Sequence, residues 1–304
     1  MGADLALHFG ESRACFERAS KVLEYDLLEL CSQGSDEQLR DTRVSQPAIF
    51  TTNVAIYRAI ESLGLKPVVS GGHSFGEYCS LTIAGSLSFE DAVRLVNERG
   101  LAMGESADLA PGTMAAIIGF EESQIADLCS AARAATGELA DIANLNSPLQ
   151  IVVSGGVRAV NEVCAQAKKA GAKRVVPLNV SGAWHSELMR GAVNRLAPKV
   201  EAVALTLPSF SVISNVEAAP YTDVRQIRRC LVAGLCERVR WHETALLIAA
   251  HRPDMIVECG ATAVLAPMMR RLPDVVAERV LHVADSSTIG RLALLVGALP
   301  GRTA

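Results

Sequence analysis

The chain has 304 residues, 50% of them hydrophobic and 20% charged, with 29 Lys and Arg against 33 Asp and Glu for a formal charge of −4. That apolar content supports a sizeable core and excludes wholesale disorder, while the small acidic excess excludes a general nucleic-acid binder, which carries a basic surplus. The length fits one large domain or a main body with an insertion.

Glu11–Ser32 carries Phe16, Leu23, Leu27, Leu28 and Leu30 at helical spacing among charges and reads as one or two helices. Gln46–Leu65 reads as a longer helix opening at Pro47, with Ile49, Val54, Ile56 and Ile60 on its buried face and Gly64 and Pro67 ending it. A short apolar strand at Val68-Val69 runs into Gly71-Gly72, followed by helical stretches at Phe75–Ala84 and Phe89–Met103. Helix, short buried strand, sharp glycine turn, helix is the pattern of an α/β fold with a parallel sheet. From Pro111 the rhythm changes. Met114–Gly119 reads as a strand, Glu121–Ala135 as a helix, Asp141–Asn146 and Gln150–Ser154 as strands, Val157–Ala170 as a helix and Arg174–Val180 as a strand. That β-α-β-β-α-β order is a ferredoxin-like unit. It predicts a subdomain over 111–180 inserted into a body formed by 1–110 and 181–304. Beyond Trp184 come more helices, a strand at Met255–Cys259 and a turn at Gly260, and the tail Pro300–Ala304 is expected to fray.

Apolar runs are short and broken by charge, none nearing the roughly 20 residues of a bilayer-spanning helix, so no membrane span is expected. Residues 1–30, with Asp4 and Glu11, lack the layout of a secretory signal. The 8 cysteines are scattered, with no CxxC pair and no Cys/His cluster at zinc spacing. Small buried thiols in a reducing cytoplasm, and no metal site, are the expectation.

Gly72-His73-Ser74-Phe75-Gly76 fits G-x-S-x-G between an apolar strand and a helix. A serine on such a sharp turn is lifted out of the sheet, and side chains at both flanking glycines are expected to clash. The following helix favours developing negative charge at its N-terminus. A serine nucleophile needs a base. His73 adjoins Ser74 and fits a supporting role in the turn; His8, His251 and His282 lie in charged or terminal surroundings and read as surface residues; His242, after Trp241, fits a structural role. His185 follows a strand end and a glycine turn, where loops present side chains to a cleft. Spacing alone leaves it one candidate among these.

Gly72-His-Ser-Phe-Gly-Glu77, Arg99-Gly100, Asn144-Leu-Asn-Ser147 and Ala183-Trp-His-Ser186, with Ser45-Gln-Pro-Ala48 and Asp91–Val96, occur in one order and spacing. This pattern resembles the malonyl-CoA:acyl carrier protein transacylase family, to which polyketide synthase acyltransferases belong, from residue 1 to about 285. The resemblance implies an α/β-hydrolase-like body with a ferredoxin-like insert, Ser74 as nucleophile and His185 as its base in a dyad. It implies that a main-chain carbonyl orients His185, at a position that is Gly234 here and often glutamine in relatives. It further implies Phe75 N–H as an oxyanion donor and Arg99 as the ligand of the malonyl carboxylate. Gln46, Met103, Asn144 and Asn146 match positions that line or brace the family pocket, although the two asparagines equally suit turn caps beside Pro148. Trp184 stands where malonyl-selective relatives carry phenylalanine, so malonyl over methylmalonyl is expected.

The implied reaction is ping-pong transfer of malonyl from malonyl-CoA to a carrier protein, for fatty acid or polyketide synthesis. The CoA thioester is substrate and no cofactor is needed; the protein is expected to act as a monomer, without nucleic acid or membrane. Basic candidates for docking an acidic carrier are Lys168, Lys169, Lys173, Arg174, Arg225, Arg228 and Arg229, each also explicable as a solvated helix face. Two departures stand out. Family members open with a strand and an F-P-G-Q-G-S-Q loop before the stretch resembling Met1–Leu5, and that loop supplies an oxyanion amide worth about 100- to 1000-fold in turnover. The expectation is a start assigned too far downstream. Glu258-Cys-Gly-Ala-Thr262 also replaces the usual G-P-G turn. An acyl hydrolase of the same fold, or an inactive carrier-binding scaffold, are the alternative readings.

Overall fold

Asp41 opens the long helix of the first third: its side chain accepts from the Arg43 N–H and starts a helix over Thr42–Glu61. This cap lies upstream of the start expected at Pro47, which instead sits inside the helix and leaves the Arg43 carbonyl without its helical donor. A buried face from Gln46 and Phe50 to Ile56 and Ile60 carries the element across that point. Before it, Gly10–Leu23 and Leu27–Gln33 form two helices separated by Glu24 in the left-handed region. The computed structural model describes residues 1–297, so the expectation for Pro300–Ala304 falls outside the described residues.

Ser88 caps the helix Phe89–Leu109, accepting from Asp91 N–H at 3.1 Å. It runs past its expected end at Met103, because no helix-breaking proline occurs before Pro111. Ala92, Val93, Leu95, Val96 and Met103 form its inner face. That face packs with Phe16, Phe50, Tyr78 and Leu196 in the main core of the body.

The body holds two parallel strand pairs. β1 (Val69–Gly71) pairs with the strand Ser211–Ile213, and the strand Ile256–Cys259 pairs with Val280–Val283. No strand is expected from the sequence at 211–213 or 280–283; three residues at 211–213 are too short for a period-2 signal.

Between them lies an antiparallel sheet of β2 (Gly112–Ile118), β3 (Ala140–Ser147), β4 (Gln150–Gly156) and β5 (Arg174–Pro177), in the order β3-β4-β2-β5. Along β2 the side chains alternate. Ala115 and Ile117 pack with Ile125, Val153 and Val163 under the helices Glu122–Thr136 and Val157–Lys169. Met114 and Ala116 join Val152 and the half-buried Trp184 on the other face. Both faces are covered, which explains the nearly continuous apolar run. β5 stops at Pro177, short of Val180; Leu178 N–H makes one more bond, to Met114 O. The architecture is mixed α/β, with parallel pairs and one antiparallel sheet. No helix among the described residues is long and apolar enough to cross a membrane.

Candidate active site

β1 ends at Gly71 and the helix Gly76–Ile83 begins almost at once, so the chain reverses over four residues. Ser74 takes φ 54°, a left-handed value that costs a residue with a side chain about 1–3 kcal/mol. A Cβ on Gly72 would lie 2.0 Å from the Gly76 carbonyl, so only glycine fits there. A Cβ on Gly76 would meet nothing within 4 Å, which corrects the expectation that both glycines are sterically required. The close approach is one-sided: Gly76 supplies the backbone that the Gly72 position would strike.

His185 is a second left-handed residue, at φ 58°, on the loop after β5. The Ser74 Oγ–H donates to its Nε2 at 2.8 Å. On the far side Nδ1 lies 2.8 Å from Gly234 O and 3.2 Å from Glu237 O. Carbonyls only accept, so Nδ1 carries the proton and Nε2 is left as the acceptor a base needs. Burial, helped by the nearby cation Arg99 and by His73, pulls the His185 pKa down to about 3 against the two carbonyls that raise it.

Arg99 lies on the inner face of its helix, 3% exposed. Its Nη2–H donates to Ser74 Oγ at 3.1 Å and its Nη1–H to Gln46 Oε1 at 2.7 Å. Gln46 is held in turn, its Nε2–H donating to Thr42 Oγ1 at 2.7 Å and to Met103 Sδ at 3.4 Å. Arg99 has no carboxylate within ion-pairing distance among the described residues, whereas the surface arginines are largely paired. The buried Glu77 carboxyl acts on Arg99 only through space, so an incoming carboxylate bonded directly to the fork would give this buried cation a partner it lacks.

The remaining candidates divide. Phe75 heads the helix after the elbow, and its N–H donates to no group among the described residues. Asn146 braces His73 rather than Ser74, with Oδ1 3.0 Å from His73 Nε2, and the His73 ring lies 5.9 Å from that of Trp241. Asn144 is buried on β3, where the neighbouring backbone exchanges bonds with Val239 (Val239 N–H to Ala143 O at 2.8 Å, Leu145 N–H to Val239 O at 2.9 Å). Trp184 wedges between the body core and the β2–β4 face. His8 and His251 are exposed, but His282 is half-buried with Nε2 2.7 Å from Gly260 O, because its strand pairs beside that turn. Of the basic candidates, Arg229 is paired with Glu217, and Arg228 holds the carbonyls of Val200 and Val203. Lys168, Lys169, Lys173, Arg174 and Arg225 make no ion pair among the described residues. No cluster of three or more His, Cys, Asp or Glu able to hold a metal occurs among them either.

The sequence reading missed four groups that converge here. Asn215 Oδ1 accepts from Ser74 N–H at 3.1 Å, and its Nδ2–H donates to Gly72 O at 2.8 Å. Glu77, 3% exposed, accepts from Asn215 N–H at 3.0 Å and from Tyr221 Oη–H at 2.6 Å, and burial raises its pKa against those bonds. Glu237 adds the second carbonyl on His185.

Comparison with known proteins finds relatives over nearly the whole chain. A family model described as the acyl transferase domain matches residues 1–292. The chain is 38% identical over 283 residues to the malonyl CoA-acyl carrier protein transacylase of Escherichia coli strain K12, covering 93% of this chain and 91% of that protein. It is similar to the structure of the malonyl CoA-acyl carrier protein transacylase from Coxiella burnetii, with TM-score 0.91 and 37% identity over 97% of this chain and 93% of that one. It is also similar to a solved complex of a type II PKS acyl-carrier protein with its malonyl-transacylase, with TM-score 0.89 and 35% identity over 97% and 94% of the two chains. With a serine elbow, a histidine against its hydroxyl and a match running from Met1 to Leu292, the chain belongs to the acyl transferase family.

Proposed function

We propose that the protein transfers malonyl from malonyl-CoA to the phosphopantetheine thiol of an acyl carrier protein through an O-acyl serine. The observation that carries this reading is Arg99: a buried guanidinium, unpaired with any carboxylate among the described residues, 3.1 Å from the nucleophilic oxygen. A guanidinium fork binds a carboxylate through two parallel N–H donors, and here Gln46 fixes one arm of the fork. Malonyl is an acyl group with a free carboxylate at its far end. Ser74 Oγ attacks the thioester carbonyl while His185 Nε2 takes its proton, and the Phe75 N–H faces the developing oxyanion. The C–S bond breaks and His185 returns the proton to the CoA sulfur. The carrier thiol then attacks the acyl serine, gives its proton to His185, and Ser74 Oγ recovers it as the ester breaks. The chemistry needs no cofactor beyond the CoA thioester substrate.

In this reading residues 1–110 and, among the described residues, those from 181 onward form an α/β-hydrolase-like body and 111–180 a ferredoxin-like insert. The strand order β3-β4-β2-β5 and the two helices on one face support the insert. A reducing cytoplasm suits a chain whose cysteines are free thiols among the described residues. Trp184 directly precedes His185 in the chain, and in this reading its ring limits room beside the acyl α-carbon, where a tight pocket discriminates one methyl group by about 1–3 kcal/mol. Trp184→Ala is therefore expected to raise methylmalonyl relative to malonyl loading about 10-fold, read by competition between the two thioesters.

The His185 environment makes a prediction about pH. The base works only as neutral imidazole, and a pKa near 3 keeps it neutral down to acid. The rate of Ser74 acylation, as kcat/KM, is expected to stay level as pH falls from about 8 to 5, below the ordinary histidine range near about 6.5. An acid limb centred near about 6.5 would show that His185 titrates normally. The reading itself is tested by giving malonyl-loaded protein a phosphopantetheinylated carrier and following both products. Malonyl on the carrier in excess of free malonate supports transfer; free malonate alone, unchanged by carrier, would replace it with hydrolysis.

A further inference from the structure

Asn215 follows the strand Ser211–Ile213, and it connects the segment that carries the nucleophile with the one that orients the base. Gly72 O and Ser74 N–H lie past the end of β1 and before the first turn of the next helix, so neither element offers them a partner. The Asn215 side chain satisfies both, at 2.8 and 3.1 Å, presenting a donor and an acceptor side by side as a neighbouring strand would. The partners fix which end is which, since Gly72 O only accepts and Ser74 N–H only donates.

Its main chain reaches in two further directions. The Asn215 N–H donates to Glu77 Oε1, which Tyr221 Oη–H holds from the other side. The Asn215 carbonyl accepts from Arg240 N–H at 2.9 Å. Arg240 ends the stretch 234–240, whose Gly234 and Glu237 carbonyls hold His185 Nδ1. One residue, 4% exposed, thus joins the strained backbone of Ser74 to the stretch that aims His185.

We infer that Asn215 is a positioning residue for the dyad: by tying Gly72 and Ser74 to the 234–240 stretch, it sets the approach of Ser74 Oγ to His185 Nε2. Without the amide the elbow loses the bonds that hold Ser74 in its left-handed conformation, and a shift of about 1 Å in the reacting groups is enough for a 100-fold loss of rate. The inference rests on Ser74 being the nucleophile. It does not depend on which acyl group is carried.

The test is the rate at which a fluorophosphonate probe labels Ser74, followed by intact mass so that the rate constant and the final labelled fraction are read separately. Asn215→Ala is expected to label about 100-fold more slowly than the parent and still reach the same final fraction. Tyr221→Phe, which removes one bond from the Glu77 bracket, is expected to slow labelling about fivefold with the fraction kept. A folded Asn215→Ala that labels at the parental rate overturns the inference. So does a normal rate with a reduced fraction, the mark of partial unfolding. If Asn215→Ala does not fold, Tyr221→Phe decides, and a parental rate there overturns it. Malonyl-CoA loading is measured alongside: a parent that labels with the probe but takes no malonyl would sink the proposed substrate and leave this inference standing.

Discussion

Arg99→Ala is expected to lower kcat/KM for malonyl loading by about 100- to 10,000-fold while leaving acetyl loading from acetyl-CoA unchanged or faster. The magnitude follows from losing two charge-assisted hydrogen bonds, each worth about 1.5–3 kcal/mol when buried. The asymmetry follows from acetyl having no carboxylate to lose. Among the described residues the guanidinium hydrogen-bonds only to Gln46 and Ser74 and feels the buried Glu77 through space, so its removal breaks no direct ion pair. Arg99→Lys keeps the charge but not the fork, and is expected to fall between parent and alanine for malonyl. Rapid-quench measurement of serine acylation with each thioester reads all three proteins. An equal loss for malonyl and acetyl would mean that Arg99 acts on Ser74 alone.

His185→Ala is expected to slow Ser74 acylation by about 1000-fold at saturating malonyl-CoA, with little change in apparent affinity. Ser74 Oγ–H would then keep no acceptor, and Arg99, a donor, cannot take its proton. Single-turnover kinetics checks this. A variant within about tenfold of the parent would point to another base.

The elbow was legible in the sequence because its chemistry is local: Gly72, Ser74 and the helix after them fall within one short stretch. The β2–β5 unit was legible for a similar reason, since alternating strands and two amphipathic helices leave periodic marks over 111–180. His185 could be narrowed from six histidines only by the surrounding motif, because its distance to Ser74 arises from packing. Asn215 left no mark at all. It lies 141 residues beyond Ser74, after a three-residue strand with no measurable period, and acts through side-chain bonds to backbone. Glu77 lies within the Gly72–Glu77 motif, but its partner Tyr221 is 144 residues away. The helix start at Thr42 was misplaced because Pro47 is a strong first-turn signal, and the Asp41 cap upstream outranked it.

The measurement that reaches the central claim most directly is intact-protein mass spectrometry of the parent and of Ser74→Ala after mixing with malonyl-CoA. A single malonyl adduct on the parent, mapped to Ser74 and lost in the variant, is the predicted result, and it should discharge when phosphopantetheinylated carrier is added. A parent that gains no adduct, or a Ser74→Ala protein that gains the same one, would contradict the account.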